Sequence, residues 1–160
     1  MSYTFRWNLA RKMLLPLVEV RCPVVSKKVL IVEDERLLAR TLSSALREAG
    51  FEAVVSHSAE QGAKHWLGKT EFDLVILDNR LPKQTGLELL QHARDHGRQS
   101  KVILMTAFDR RGVKTDARKL RVDMYVRKPF DLDSMLQNVT ELIGDPANGT
   151  PVNPKKEGGD

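Results

Sequence analysis

The run Lys28-Val29-Leu30-Ile31-Val32 leads directly into three acids, Glu33-Asp34-Glu35. A continuous apolar run of this length reads as a strand buried on both faces, as in a parallel sheet covered by helices. Carboxylates at the exit of such a strand are costly unless a cation or a helix start holds them. Three more runs end in polar residues. Phe72–Leu77 is followed by Asp78, Lys101–Met105 by Thr106, and Asp123–Arg127 by Lys128-Pro129-Phe130. The strand ends therefore offer carboxylates, a hydroxyl and an ammonium. In an open α/β sheet the carboxyl ends of the strands are where ligands bind.

Amphipathic segments alternate with these runs. Leu37, Leu38, Thr41, Leu42, Ala45, Leu46 and Ala49 repeat with the helical period, and Gly50 closes that helix. Phe51–Val55 reads as a further strand, followed by Ser58 as an N-cap. Ala59, Ala63, Trp66 and Leu67 face the core from the next helix, which stops at Gly68. A loop with Pro82 and Gly86 opens a helix carrying Leu87, Leu90 and Ala93, closed by Gly97. A weaker helix near 110–120 has only Val113, Ala117 and Leu120. The last helix carries Leu132, Met135, Leu136, Val139, Leu142 and Ile143. Five strands and five helices in alternation predict an α/β fold, a doubly wound five-stranded parallel sheet of flavodoxin-like order 2-1-3-4-5. That order sets the first and third strands side by side, so Asp34 and Asp78 flank the switch-point crevice.

The domain so defined covers residues 28–143. Residues 1–27 form an N-terminal extension in which Trp7, Leu9, Met13, Leu14, Leu17 and Val18 share one face of a short helix interrupted by Pro16, unless the segment is unstructured. Residues 144–160 are rich in Pro, Gly and polar residues and read as a disordered tail. The net charge of +5 sits mostly in the extension: residues 1–28 carry +5 and residues 144–160 carry −1, leaving +1 for the domain. Basicity confined to a tail, without interleaved aromatics or a helix-turn-helix pattern, argues against direct DNA binding by the domain. No apolar stretch approaches the ~20 residues of a membrane span. The lone Cys22 excludes an internal disulfide and fits a reducing cytoplasm.

Each strand-end residue also has a structural reading. The acids favour a helix start, Asp78 caps a loop, Thr106 caps a helix, Lys128 is solvated and Tyr125 is core. The joint pattern outweighs these. Val-Leu-Ile-Val-Glu33-Asp34-Glu, Leu-Val-Ile-Leu-Asp78, Leu81-Pro82 with Gly86, Met-Thr106-Ala107 and Tyr125-Val-Arg-Lys128-Pro129-Phe130 stand in one order, each at a predicted strand end. In this residues 28–143 resemble the receiver domain of two-component response regulators, of the chemotaxis-regulator type.

The resemblance implies roles position by position. Asp78 matches the phosphoacceptor, a carboxylate that attacks a phosphoryl group carried by a histidine kinase or phosphotransfer protein. Glu33 and Asp34 match the acidic pair. With Asp78 and the backbone carbonyl of Arg80 they would hold Mg²⁺, or Mn²⁺ in its place. Lys128, ahead of an implied cis Pro129, would offset charge on the phosphoryl group. Thr106 matches the hydroxyl that meets the phosphoryl oxygens, and Tyr125 the aromatic switch. The surface of the fourth helix, fifth strand and fifth helix would carry the signal. Arg121-Val122 departs from the Gly-Ala common before the fifth strand, and Glu33 replaces the commoner Asp. Asn79, Arg80 and Phe108 stand where water access, and so the phosphoryl lifetime, is set.

The implied protein is a cytoplasmic single-domain response regulator, not an enzyme in its own right, acting in trans on an unidentified protein target. Phosphorylation-linked homodimerisation, a phosphorelay shuttle and a phosphorylation-independent interaction module stay open. An aspartate-nucleophile phosphatase would place a second Asp where Arg80 stands, and a flavin module would not place acids after the first strand. His92 and His96 lie one helical turn apart, a metal-ligand spacing outweighed by a solvated face without a third ligand. His57 and His65 read as surface residues. Arg110, Arg111, Lys114, Arg118, Lys119 and Arg121 make a basic stretch, either solvated or a dock for an acidic partner.

Overall fold

The structure, a computed structural model, describes residues 26–107 and 119–146. Most of the N-terminal extension, most of the predicted fourth helix with Arg110, Arg111, Lys114 and Arg118, and most of the tail lie outside these residues. In chain order the elements are β1 (Lys28–Val32), α1 (Arg36–Glu48), β2 (Glu52–Ser56), α2 (Ala59–Trp66), β3 (Leu74–Asp78), α3 (Gly86–Asp95), β4 (Lys101–Thr106), β5 (Met124–Arg127) and α4 (Leu132–Ile143). The five strands form one parallel sheet in the order β2-β1-β3-β4-β5, as the apolar runs predict.

The strands divide their side chains between two cores. Leu30, Val32, Val75, Leu77, Val102 and Leu104 face α2 and α3, meeting Ala59, Trp66, Leu89, Leu90 and Ala93. Val29, Ile31, Leu74, Ile76, Ile103 and Met105 face α1 and α4, meeting Leu42, Leu46, Met135, Val139 and Ile143. This is why β1, β3 and β4 read as unbroken apolar runs rather than alternating ones. Full burial of each such side chain contributes about 1.5–3 kcal/mol, which fixes the register and so the level of the strand ends. Among the described residues no helix is long and apolar enough to cross a membrane.

Side-chain caps set the helix starts. Ser58 accepts the Gln61 amide at α2, Asp131 accepts the Ser134 amide at α4, and Thr85 with Glu88 forms a capping box at α3. At the amino ends of the strands, opposite the acids, one device occurs twice. Asp73, just before β3, accepts the Lys28 amide at 2.8 Å and pairs with Lys27. Asp123, just before β5, accepts the Val102 amide at 2.9 Å and pairs with Lys101.

Three details differ from the sequence reading. Leu37 falls on the apolar period of α1 but is 73% exposed, because α1 buries the stripe Ala39, Leu42, Ser43 and Leu46 instead. Leu89, not Leu87, joins Leu90 and Ala93 among the buried residues of α3. The packed chain also runs past residue 143: Pro146 is buried and lies beside Gly50.

Candidate functional site

Five predicted site residues stand at the carboxyl ends of four neighbouring strands. Glu33 and Asp34 follow β1, Asp78 ends β3, Thr106 ends β4 and Lys128 follows β5. Glu33, Asp78 and Thr106 are buried, at 1%, 4% and 5% exposure, while Asp34 is exposed. Carboxylate oxygens of Glu33, Asp34 and Asp78 all lie within 4.8 Å of one another. The acids do not act as helix caps: the N-cap of α1 is Glu35, with no side-chain cap bond, and its first turn holds no acid.

Lys128 joins the buried acids. Its Nζ lies 2.6 Å from Glu33 Oε2 and 3.2 Å from Asp78 Oδ2. The Lys128–Pro129 peptide is cis, and the Lys128 amide donates to the Thr106 carbonyl at 2.8 Å. Burial raises the Glu33 pKa, opposed by the Lys128 hydrogen bond and reinforced by the Asp78 charge. For Lys128 burial works against the ammonium, but the hydrogen bond to Glu33 and the charge of Asp78 outweigh it, and its pKa is raised. Three carboxylates and one ammonium leave a formal charge of −2 when ionised, which a divalent cation would balance.

The surrounding backbone fixes these groups. Glu33 Oε1 accepts the Glu35 amide at 3.2 Å and Asp78 Oδ1 the Arg80 amide at 3.2 Å. His57 Nδ1 bonds the Glu33 carbonyl at 3.1 Å, so its N–H donates there; the surface reading of His57 missed this contact. Gly86 donates to the Asn79 carbonyl at 3.1 Å. A Cβ at Gly86 would collide with the Asp78 carbonyl oxygen, so only glycine lets α3 start this close to Asp78. Tyr125 is paired in register with Leu104 on β4. It packs against the core on the α2–α3 side with its hydroxyl buried. Arg121 has a left-handed φ of 55°, where the resemblance led one to expect glycine.

Oxygen donors on adjacent strand ends, one of them exposed so that water can remain, fit a hard cation such as Mg²⁺. The ammonium and the Thr106 hydroxyl suit an anion next to it. Sequence reasoning placed each group singly but not the double contact of Lys128. Opposite charges at predicted strand ends are the signal that could have found it.

The family model described as the response regulator receiver domain matches residues 29–140. The transcriptional regulatory protein DltR of Streptococcus agalactiae is 31% identical over 112 residues, 70% of this chain and 50% of that protein. The chain thus spans about half the length of that curated relative. A CheY-like response regulator receiver domain protein from Methanospirillum hungatei superposes with a TM-score of 0.68 at 26% identity, over 72% of this chain and 92% of the other. The response regulator TrrA of Thermotoga maritima, solved in complex with Mg²⁺ and BeF, gives 0.65 at 31% identity, over 73% and 99%.

Proposed function

We propose, from the premise that this chain belongs to the response regulator receiver family, that it accepts a phosphoryl group on Asp78 and passes the signal on by protein contact. The observation that carries this is the meeting of the Glu33, Asp34 and Asp78 carboxylates within 4.8 Å, with Lys128 Nζ 3.2 Å from Asp78. Asp34, Asp78 and the Arg80 backbone carbonyl would hold Mg²⁺, or Mn²⁺, with Glu33 beside them. A bound divalent ion supplies positive charge where several negative groups converge.

An Asp78 carboxylate oxygen attacks the phosphorus, and an O–P bond forms as the N–P bond to a phosphohistidine breaks. The donor is a histidine kinase or a phosphotransfer protein. Lys128 gives up part of its contact with Asp78 and meets a phosphoryl oxygen. Thr106, one strand over, hydrogen-bonds another. Tyr125 turns as Thr106 moves and alters the surface of β5 and α4, which a downstream protein reads. Arg80 and Asn79, next to Asp78, govern how fast water removes the phosphoryl group.

The test is intact mass after incubation with acetyl phosphate, with and without Mg²⁺, on wild type and Asp78→Asn. A labile gain of one phosphoryl group that needs Mg²⁺ and is lost in Asp78→Asn is the expected result. No gain from acetyl phosphate, together with no binding of beryllofluoride, would overturn the reading.

A further inference from the structure

The last turn of α3 reads His92-Ala93-Arg94-Asp95-His96. The two imidazoles stand one above the other on an exposed face, with ring centroids 4.4 Å apart and planes tilted by 60°. His96 Nδ1 bonds the His92 backbone carbonyl at 2.8 Å. A carbonyl only accepts, so the proton is on Nδ1 and the Nε2 lone pair is left for a ligand. Metal-binding histidines commonly have this anchoring, with one ring nitrogen donating to a carbonyl and the other to the ion.

We propose that His92 and His96 form a chelating site for a borderline divalent cation of the Cu²⁺, Ni²⁺ or Zn²⁺ class, separate from the acidic site. The ring spacing supports this. With metal–nitrogen bonds of about 2 Å, two imidazoles bound at a right angle to one ion have centroids about 4.5 Å apart. That angle is the cis arrangement of tetragonal Cu²⁺ and Ni²⁺ complexes. Nitrogen donors select these ions over Mg²⁺, whereas the all-oxygen strand-end cluster selects the hard ion. Asp95 shares the helix face but accepts the Gln91 amide nitrogen at 2.7 Å. Among the described residues no third His, Cys, Asp or Glu joins the two histidines in a ligand group, so the site has two protein donors and water would complete the shell. His96 lies ten residues along the helix from Gly86, about 15 Å at the helical rise, so each ion would bind without displacing the other.

The experiment uses the full chain saturated with Mg²⁺ and titrated with Cu²⁺, read by electron paramagnetic resonance and calorimetry. Wild type, His92→Gln, His96→Asn, the double variant and His57→Gln are compared. Wild type is expected to take up one Cu²⁺ with hyperfine structure from two nitrogens. Each single variant should lose at least the about tenfold in affinity that losing even an outer-shell partner costs. His57→Gln should match wild type. Both histidines are exposed, so unchanged melting of the metal-free variants checks their folding. Coordination by a single nitrogen, or a site that survives in the double variant, would overturn the proposal.

Discussion

Replacing Lys128 by Met keeps the stem that fills space and removes the charge that two buried carboxylates share. Glu33 is 1% exposed and meets the ammonium at 2.6 Å. Removing one partner of a buried ion pair costs about 3–5 kcal/mol. Glu33 limits that cost by taking up a proton, since burial and the Asp78 charge still raise its pKa while the opposing Lys128 contacts are gone. Protonating a carboxyl of ordinary pKa, about 4.3, at pH 7 costs about 3.7 kcal/mol, and at pH 5 about 1 kcal/mol. The folded variant then holds a proton that the unfolded chain releases, so its stability rises as pH falls towards the ordinary carboxyl value. In wild type the raised Glu33 pKa acts in the same direction but over a narrower window, because Lys128 stays charged throughout. Urea melts with Mg²⁺ chelated, followed by the fluorescence of buried Trp66, should show Lys128→Met less stable than wild type by about 3–4 kcal/mol at pH 7 and about 1 kcal/mol at pH 5. A loss below 1 kcal/mol at pH 7, or equal losses at both pH values, would refute the electrostatic account.

Other expectations follow from single positions. Asp34→Asn should abolish Mg²⁺ binding by calorimetry while shifting stability by no more than about 0.5 kcal/mol, since Asp34 is exposed. Gly86→Ala should lose about 1–3 kcal/mol or more in thermal melts, because its Cβ meets backbone that cannot turn aside. Gly97→Ala, with φ +76° and nothing within 4 Å of a new Cβ, should lose only the left-handed cost of about 1 kcal/mol. Arg121→Gly should gain about 0.5 kcal/mol by relieving a left-handed side-chain residue, offset in part by the entropy of glycine.

The strands were legible because burial on both faces leaves runs such as Leu74–Leu77 with no polar interruption. Glu33, Asp34, Asp78 and Thr106 were legible because each follows such a run, whereas Lys128 follows the half-buried β5 and was legible from the Lys128-Pro129-Phe130 that ends it. Period alone could not orient α1, where Leu37 and Leu38 share a pattern with Leu42 and Leu46. Small Ala39 and Ser43 take the inner stripe together with Leu42 and Leu46. The bond from His57 to the Glu33 carbonyl was hidden for another reason. It joins residues 24 apart in sequence through a backbone acceptor, which carries no side-chain signature.

The reach of Lys128 ties chemistry to assembly. It meets Glu33 across 95 residues of sequence and two intervening strands, β3 and β4, of the finished sheet. A nascent or clipped chain that stops short of β5 already contains Glu33, Asp34 and Asp78, but nothing covalent supplies their counter-charge. The acids at the ends of β1 and β3 then repel one another without that ammonium. The last of the described strands, β5, brings the cation that makes the ends of β1 and β3 tolerable neighbours. The buried acids thus meet their ammonium only in a chain that has placed β5 beside β4.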